Sequence, residues 1–446
     1  EGMARSMCVT LRNLAAVQDT CVPMLRDGVH IAVMVAGRRY SSNVGLVRAM
    51  CCTLHNLATA ADNCVPLVRD GAHLALMTAA RTHSDDMESV RFVCTTLQRL
   101  ATSAADNSLP LVRDGAHVTL VAAARAHSGD LEAARAAVGA LWRLADAVDN
   151  AVPLVRAGAH TAVMAAARDH SRDVALMAIA CDTLRALAAA ADNRVPLVRD
   201  GVHTAVITAA RDHSANFMVT LPACNALRSL AVAADNQVLL VRGGAHLVLM
   251  AAARAPTSDS DTVGRLCGAL RLLSADYDNA ASLVRDGVHT AVMTAAREHS
   301  DDVDVIEAAC GTLRNLALAP VNAVPLVLGG AHTVVMAAAQ EYGGNVEVVR
   351  AACGTLLSLS DCIDNAEPLV RDRAHITLME AVQAYVEDVV VARTVCGALL
   401  NLNRTTAAAA GRADLVRDGV DEFMRVACEL HPTDAMVRDY CRRVAW

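Results

Sequence analysis

A short phrase, Val-Pro-Leu-Val-Arg-Asp-Gly-Ala-His, recurs along the chain with small changes. Its histidine falls at His30, His73, His117, His160, His203, His246, His289, His332 and His375. The step is 43 residues throughout, apart from one step of 44. A fixed period of this length means stacked supersecondary units, none of which can bury its apolar stripe alone. The 446 residues therefore do not divide into ordinary domains of roughly 150 residues each. The one extra residue is expected in a loop near Ser103, because loops tolerate insertions that helices do not.

Punctuation within a unit predicts three helices. Asp-Asn pairs such as Asp62-Asn63, Asp192-Asn193 and Asp278-Asn279 read as N-cap signals for a short first helix, and a proline follows within its first turn, as at Pro66, Pro153 and Pro196. That helix stops at a glycine suited to a left-handed conformation, from Gly28 through Gly330, a column broken by Arg373. The second helix starts at the repeated histidine and ends at polar residues such as His170-Ser171-Arg172-Asp173. A longer third helix follows, as in Val303 to Leu318, with apolar residues three and four apart. The chain is 54% hydrophobic but only 2% aromatic, so the core has to be built from many small aliphatic contacts. Strand signals are missing, and the fold expected is all-α.

Several functions are disfavoured by the same reading. Every apolar run is interrupted by Arg, Asp or His, so no membrane span is expected. Glu1 to Cys8 does not read as a secretory signal, and the chain opens inside a helical pattern as a fragment of a longer protein would. A net charge of −7 argues against general nucleic-acid binding, although all 40 basic residues are arginine. Cys8, Cys51, Cys94, Cys181, Cys224, Cys267, Cys310, Cys353 and Cys396 share one column. Stacked helices sit about 8–10 Å apart, whereas a disulfide needs Cα atoms within about 7 Å. These thiols are expected to be reduced and buried, which points to a cytoplasmic or nuclear protein. The nine repeated histidines are one per unit, too far apart for a shared metal, and are expected to cap or bridge repeats. The weaker set His83, His127, His170, His213 and His299 ends second helices, where a cation suits the helix dipole. Asp85-Asp86, Asp259 with Asp261, and Asp301-Asp302 with Asp304 read as helix-start charges rather than a Ca²⁺ loop. No phosphate-cradling glycine loop, His-Glu-x-x-His or Gly-x-Ser-x-Gly is present, so neither catalysis nor a metal or other cofactor is expected.

The pattern Asn-x-x-x-Leu-Val-x-x-Gly-Ala-x-x-x-Val, an acidic loop, and a third helix ending Leu-x-Asn-Leu-Ala closely resembles the armadillo repeat. Leu54-His55-Asn56-Leu57-Ala58 and Leu313-Arg314-Asn315-Leu316-Ala317 carry the ending almost complete. The resemblance covers essentially the whole chain. It implies a right-handed α-solenoid, an armadillo-type superhelix with three helices per repeat of about 43 residues, whose third helices line a concave groove for extended peptides or partner domains. On this reading residues 1–17 form a partial unit reduced to its third helix. Residues 18–411 form nine full repeats, and 412–446 a capping repeat. The apolar side of the partial unit is then open to a further contact. Nuclear-import adaptors of the family grip basic peptides with a Trp and an Asn four residues apart. Here the Asn stands at Asn13, Asn56, Asn315 and Asn401, but Val9, Cys52, Gly311 and Gly397 replace the Trp, which disfavours that ligand.

Counting 100° per residue around the third helix separates a core side, with the Cys column, from a groove side. The groove side carries Arg12, Arg48, Arg91, Arg99, Arg135, Trp142, Arg143, Arg185, Arg228, Arg271, Arg314, Asn315, Arg350, Arg393 and Asn401, against Asp182 and Glu307 as its acids. Glycines at the former Trp position, among them Gly139, Gly311 and Gly354, are expected to let a partner backbone come close. The reading is a protein-interaction scaffold holding an extended, acidic polypeptide. The alternatives are arginines that only solvate an exposed face, and a regulatory or structural segment of a larger enzyme or motor assembly.

Overall fold

In the computed structural model, residues 2–103, 105–255, 259–385, 387–405 and 409–443 are described, and every regular element among them is a helix. By its internal packing the chain divides into two units, Glu1–Ala233 and Ala234–Trp446. In the first, third helices Gly2–Ala15, Val44–Leu57, Met87–Ser103, Leu131–Ala145, Val174–Ala189 and Phe217–Ala231 lie against one another in chain order. In the second, Ser260–Leu273, Val303–Ala317, Val346–Ser360, Val389–Thr405 and Ala435–Arg443 do the same. Each third helix after Gly2–Ala15 is preceded by a first helix of six to nine residues and a second of nine to eleven, as in Val148–Arg156 and Ala159–Asp169. This is the armadillo solenoid arrangement. The added residue of the third repeat lengthens a helix end rather than a loop: Met87–Ser103 runs to 17 residues, and residue 104 lies outside the described residues.

The joints explain why the columns repeat. The glycine between first and second helices is left-handed wherever it occurs, with φ from 77° at Gly28 to 92° at Gly115, and Arg373 holds the same geometry at φ 65°. The Asp-Asn pairs, by contrast, are not N-caps. The first helix starts at or before them, either as a 3₁₀ turn (Ala61–Asn63) or as the first α turn (Ala191–Arg199), so the proline lies deeper than its first turn where the α-helix is continuous. The asparagine itself is buried and faces backwards. Asn193 Nδ2 donates to the Leu187 carbonyl at 2.8 Å, and Asn150, Asn279 and Asn365 bond Leu144, Leu273 and Leu359 in the same way. One amide thus satisfies a carbonyl left over at the end of the preceding third helix, where the helical ladder runs out.

The repeated histidines bridge neighbours. His30 Nε2 meets Asp70 at 3.0 Å, and His73–Asp114, His160–Asp200, His246–Asp286, His332–Asp372 and His375–Asp418 repeat the contact at 2.9–3.0 Å. The aspartate is the residue that ends the next first helix. Three rungs are missing where that residue changes: the column holds Ala157 for His117, Gly243 for His203 and Gly329 for His289. Without a carboxylate, burial holds all three imidazoles below their ordinary pKa, opposed by the nearby Val112, Val198 and Val284 carbonyls. The second histidine set also bridges. His83, His127, His170 and His213 place Nε2 2.6–2.7 Å from the carbonyls of Ser41, Ser84, Ser128 and Ser171 one repeat earlier.

The cysteine column forms part of the core, and its thiols are unpaired. Burial pushes Cys51, Cys94, Cys181, Cys224, Cys267, Cys310 and Cys353 up to about 12, as expected of small hydrophobes rather than reactive thiols.

Candidate functional site: the arginines of the third helices

Third helices start at an Asp or Asn whose side chain accepts from the first-turn amides. Asp173 takes Leu176 N at 2.8 Å, Asp259 takes Thr262 N at 2.9 Å, and Asp302 takes Asp304 N at 2.9 Å. The acidic loops are therefore N-caps, as the helix-start reading holds. At four places the cap also receives an arginine from the third helix before it: Arg48 reaches Asp86 at 2.5 Å, Arg135 Asp173 at 2.6 Å, Arg350 Asp388 at 2.8 Å and Arg393 Asp434 at 2.8 Å. Arg48, Arg135 and Arg350 bond a second carboxylate as well, at Glu88, Glu132 and Glu347. The guanidinium of Arg393 and two backbone amides hold the Asp434 carboxyl down at about 2. Sequence periodicity places only Asp182 and Glu307 among the acids of this face; the structure adds the four caps, because a helix start can accept a side chain from its neighbour.

The remaining sequence-derived residues divide into two groups. Arg185 pairs with Asp182 at 3.2 Å, Arg271 with Glu307 at 3.0 Å, and Arg12 donates to the adjacent Asn13 side chain. Arg91, Arg99, Arg143, Arg228 and Arg314 have no ion pair among the described residues. Asn315 Nδ2 donates to the Arg271 carbonyl and to Ser274 Oγ at 3.2 Å, and Asn401 approaches Ser360 Oγ at 3.5 Å. These amides tie one third helix to the one before.

The glycines at the former Trp position are mostly covered, contrary to the expectation that they admit a partner backbone. A Cβ on Gly311 would lie 2.5 Å from Arg271 Cδ, on Gly354 3.2 Å from Arg314 Cδ, and on Gly139 2.9 Å from Gln98 Nε2. The missing side chain is replaced by the long stem of the preceding repeat. Glycine here seats an arginine instead of opening a space.

Part of this face is concave. A cavity of about 590 Å³ lies over Met87–Ser103, walled by His55 from the third helix before and Arg143 from the one after. Arg91, Arg99, Phe92, Thr95 and Gln98 line it from Met87–Ser103 itself. Arg91 and Arg99 are exposed; Arg143 is half-buried, with its guanidinium carbon 3.9 Å over the half-buried Trp142 ring. Burial and the nearby Arg99 charge lower the His55 pKa to about 4, so the ring is neutral near pH 7, and its Nδ1 lies 3.3 Å from the Thr95 hydroxyl. Sequence reasoning picked out the three arginines but not His55, Phe92, Thr95 and Gln98 as one site. The available signal was Phe92, since the chain has only three phenylalanines.

No single helix among the described residues is long and apolar enough to cross a membrane, and none of their His, Cys, Asp and Glu side chains form a group of three or more that could hold a metal ion. The sequence model of the LRRK2 ARM repeat matches residues 139–399, more than half of the chain. A crystal structure of an engineered protein superposes with a TM-score of 0.70 at 19% identity, covering 91% of this chain and 95% of that one. A structure from work on a phosphorylation switch that controls the interaction between cadherin and beta-catenin superposes with a TM-score of 0.75. Its identity is also 19%, with 99% of this chain and 90% of that one covered. Both likenesses concern the fold. No curated protein matches the chain in sequence.

Proposed function

The chain belongs to the LRRK2-type armadillo repeat family, and from that premise we propose that it is an interaction scaffold holding an extended, acidic polypeptide against its third helices. The observation that carries the reading is the set Arg91, Arg99, Arg143, Arg228 and Arg314. On a chain of net charge −7, these five third-helix guanidiniums are without a carboxylate partner among the described residues. Guanidinium forks capture carboxylates bidentately, and a basic strip also raises the rate of encounter with an acidic partner. The paired arginines Arg185 and Arg271 share single carboxylates at half-exposed positions. Such pairs are worth about 1 kcal/mol or less, so a ligand carboxylate can compete for them.

The test compares acidic and basic peptides of equal length at about 50 mM and about 300 mM salt, since an electrostatic ligand weakens as the screening length shrinks. The acidic set is expected to bind and to weaken with salt. Changing Arg185, Arg228, Arg271 and Arg314 to Glu is expected to reduce its affinity by at least about tenfold, each tenfold being 1.4 kcal/mol. A preference for the basic set would overturn the reading.

A further inference from the structure

We propose that the cavity over Met87–Ser103 is a phosphoryl-binding site that takes a phosphorylated side chain of a polypeptide ligand. The proposal rests on the reading of the third-helix face as a polypeptide-binding surface and gives one place on that face a chemistry of its own.

Three features single the cavity out. Arg91 occupies the column of Arg48, Arg135, Arg350 and Arg393, each of which pairs with the cap of the next third helix. Its own next cap, Asp130, accepts Ala133 N at 2.7 Å, yet no ion pair joins Asp130 to Arg91. Arg91 lines the cavity instead. Second, Arg99 and Arg143 stand where Asn56 and Asn315 tie neighbouring helices together through their amides. Their charge is thereby directed to the cavity wall, and Arg143 Nε is buried with no hydrogen-bond partner. Third, the one carboxylate on the wall, Glu88, is held by Arg48 at 2.7 Å.

Three uncompensated guanidiniums exceed what one carboxylate can satisfy. A phosphoryl group carries a charge of about −1.5 to −2 at pH 7 and three strong acceptor oxygens, which matches three forks. The Gln98 amide on the wall adds a neutral donor. A cavity of about 590 Å³ has room for a side chain as well as its phosphoryl group, and it opens on the face along which the polypeptide runs.

The experiment is calorimetric titration of the full chain with three probes: a peptide of alternating Asp and Gly with a central Ser, the same peptide carrying phosphoserine, and inorganic phosphate. The phosphopeptide is expected to bind at least about tenfold tighter than its parent, as new charge-assisted hydrogen bonds require. In Arg91→Gln/Arg99→Gln the ratio of the two affinities is expected to fall to within about threefold of unity, whatever the parent itself loses. Arg91→Lys/Arg99→Lys keeps the charge but loses the forks, and retains only part of the increment. Equal binding of the two peptides, or an increment that survives the Gln pair, overturns the proposal. Inorganic phosphate binding as tightly as the phosphopeptide also overturns it, by assigning the cavity to a free anion. A parent that fails to bind while the increment stands removes the general acidic reading and leaves the cavity; a parent that binds without an increment does the reverse.

Discussion

At the scale of single residues, constancy and function are carried by different columns. Asn193 is 3% exposed and its amide closes a carbonyl of the preceding helix, whereas Asp192 beside it is exposed. Asn193→Ala is expected to lower unfolding free energy by about 1–3 kcal/mol, because a buried carbonyl loses its donor, and Asp192→Ala by less than about 0.5 kcal/mol. Denaturant melts of the two variants separate them, and equal effects would mean that the Asp is the capping residue after all. Arg373, the one non-glycine at positive φ among the described residues, gives a prediction of opposite sign. Arg373→Gly removes the steric cost of that geometry and is expected to stabilise the chain by about 1 kcal/mol, with Gly330→Ala costing a similar amount. His55 supplies the pH dependence. Its ring takes up a proton near 6.5 when unfolded but only near 4 when folded, so the unfolded chain binds more protons in between. The stability due to the neutral ring is full above pH 6.5 and is lost as pH falls from 6.5 to 4. His117, His203 and His289, also lowered by burial, add to the same acid-side loss. Melting temperature is expected to fall across that window, and to fall less in Arg99→Gln, which removes one of the two causes acting on His55.

At the scale of the helix, the caps decide what is structural and what is available to a ligand. Asp173 accepts the first-turn amide of its own helix and the fork of Arg135. Asp173→Ala is therefore expected to cost about 1–2 kcal/mol through the lost cap. Arg135→Gln is expected to cost less than about 1 kcal/mol, since the arginine is about a third exposed and screened. A larger effect from Arg135 than from Asp173 would reverse that assignment. The starts of the second and third helices, the left-handed glycines and the burial of the cysteines were legible in the sequence because each rests on local geometry and recurs many times. The partners of the arginines were not, since whether Arg48 faces a ligand or the Asp86 cap depends on a residue 38 positions away in the next unit. The Asp-Asn pairs misled for a related reason: a cap and a backward-facing amide use the same residue type, and only the fold distinguishes them.

At the scale of the molecule, each repeat is held by its neighbours through the same few contacts. Removing one is expected to loosen its surroundings first. Leu184 is buried in Val174–Ala189, and Leu184→Ala is expected to cost about 2–5 kcal/mol. Amide exchange should rise most in Leu131–Ala145 and Phe217–Ala231, which pack on that helix, and least in Gly2–Ala15. A uniform rise across residues 2–233 would mean that the first unit opens as one body. The incomplete ladder of histidines bears on inheritance. Alanine and glycine codons that end in a pyrimidine lie one base from aspartate, so a rung such as the one missing at Ala157 can be gained, or its neighbours lost, by single base changes outside the third helices. Ala157→Asp would give His117 the carboxylate that Asp70 gives His30, raising its pKa and adding about 1 kcal/mol. A lineage can thus adjust its tolerance of heat in small reversible steps while leaving what it binds untouched.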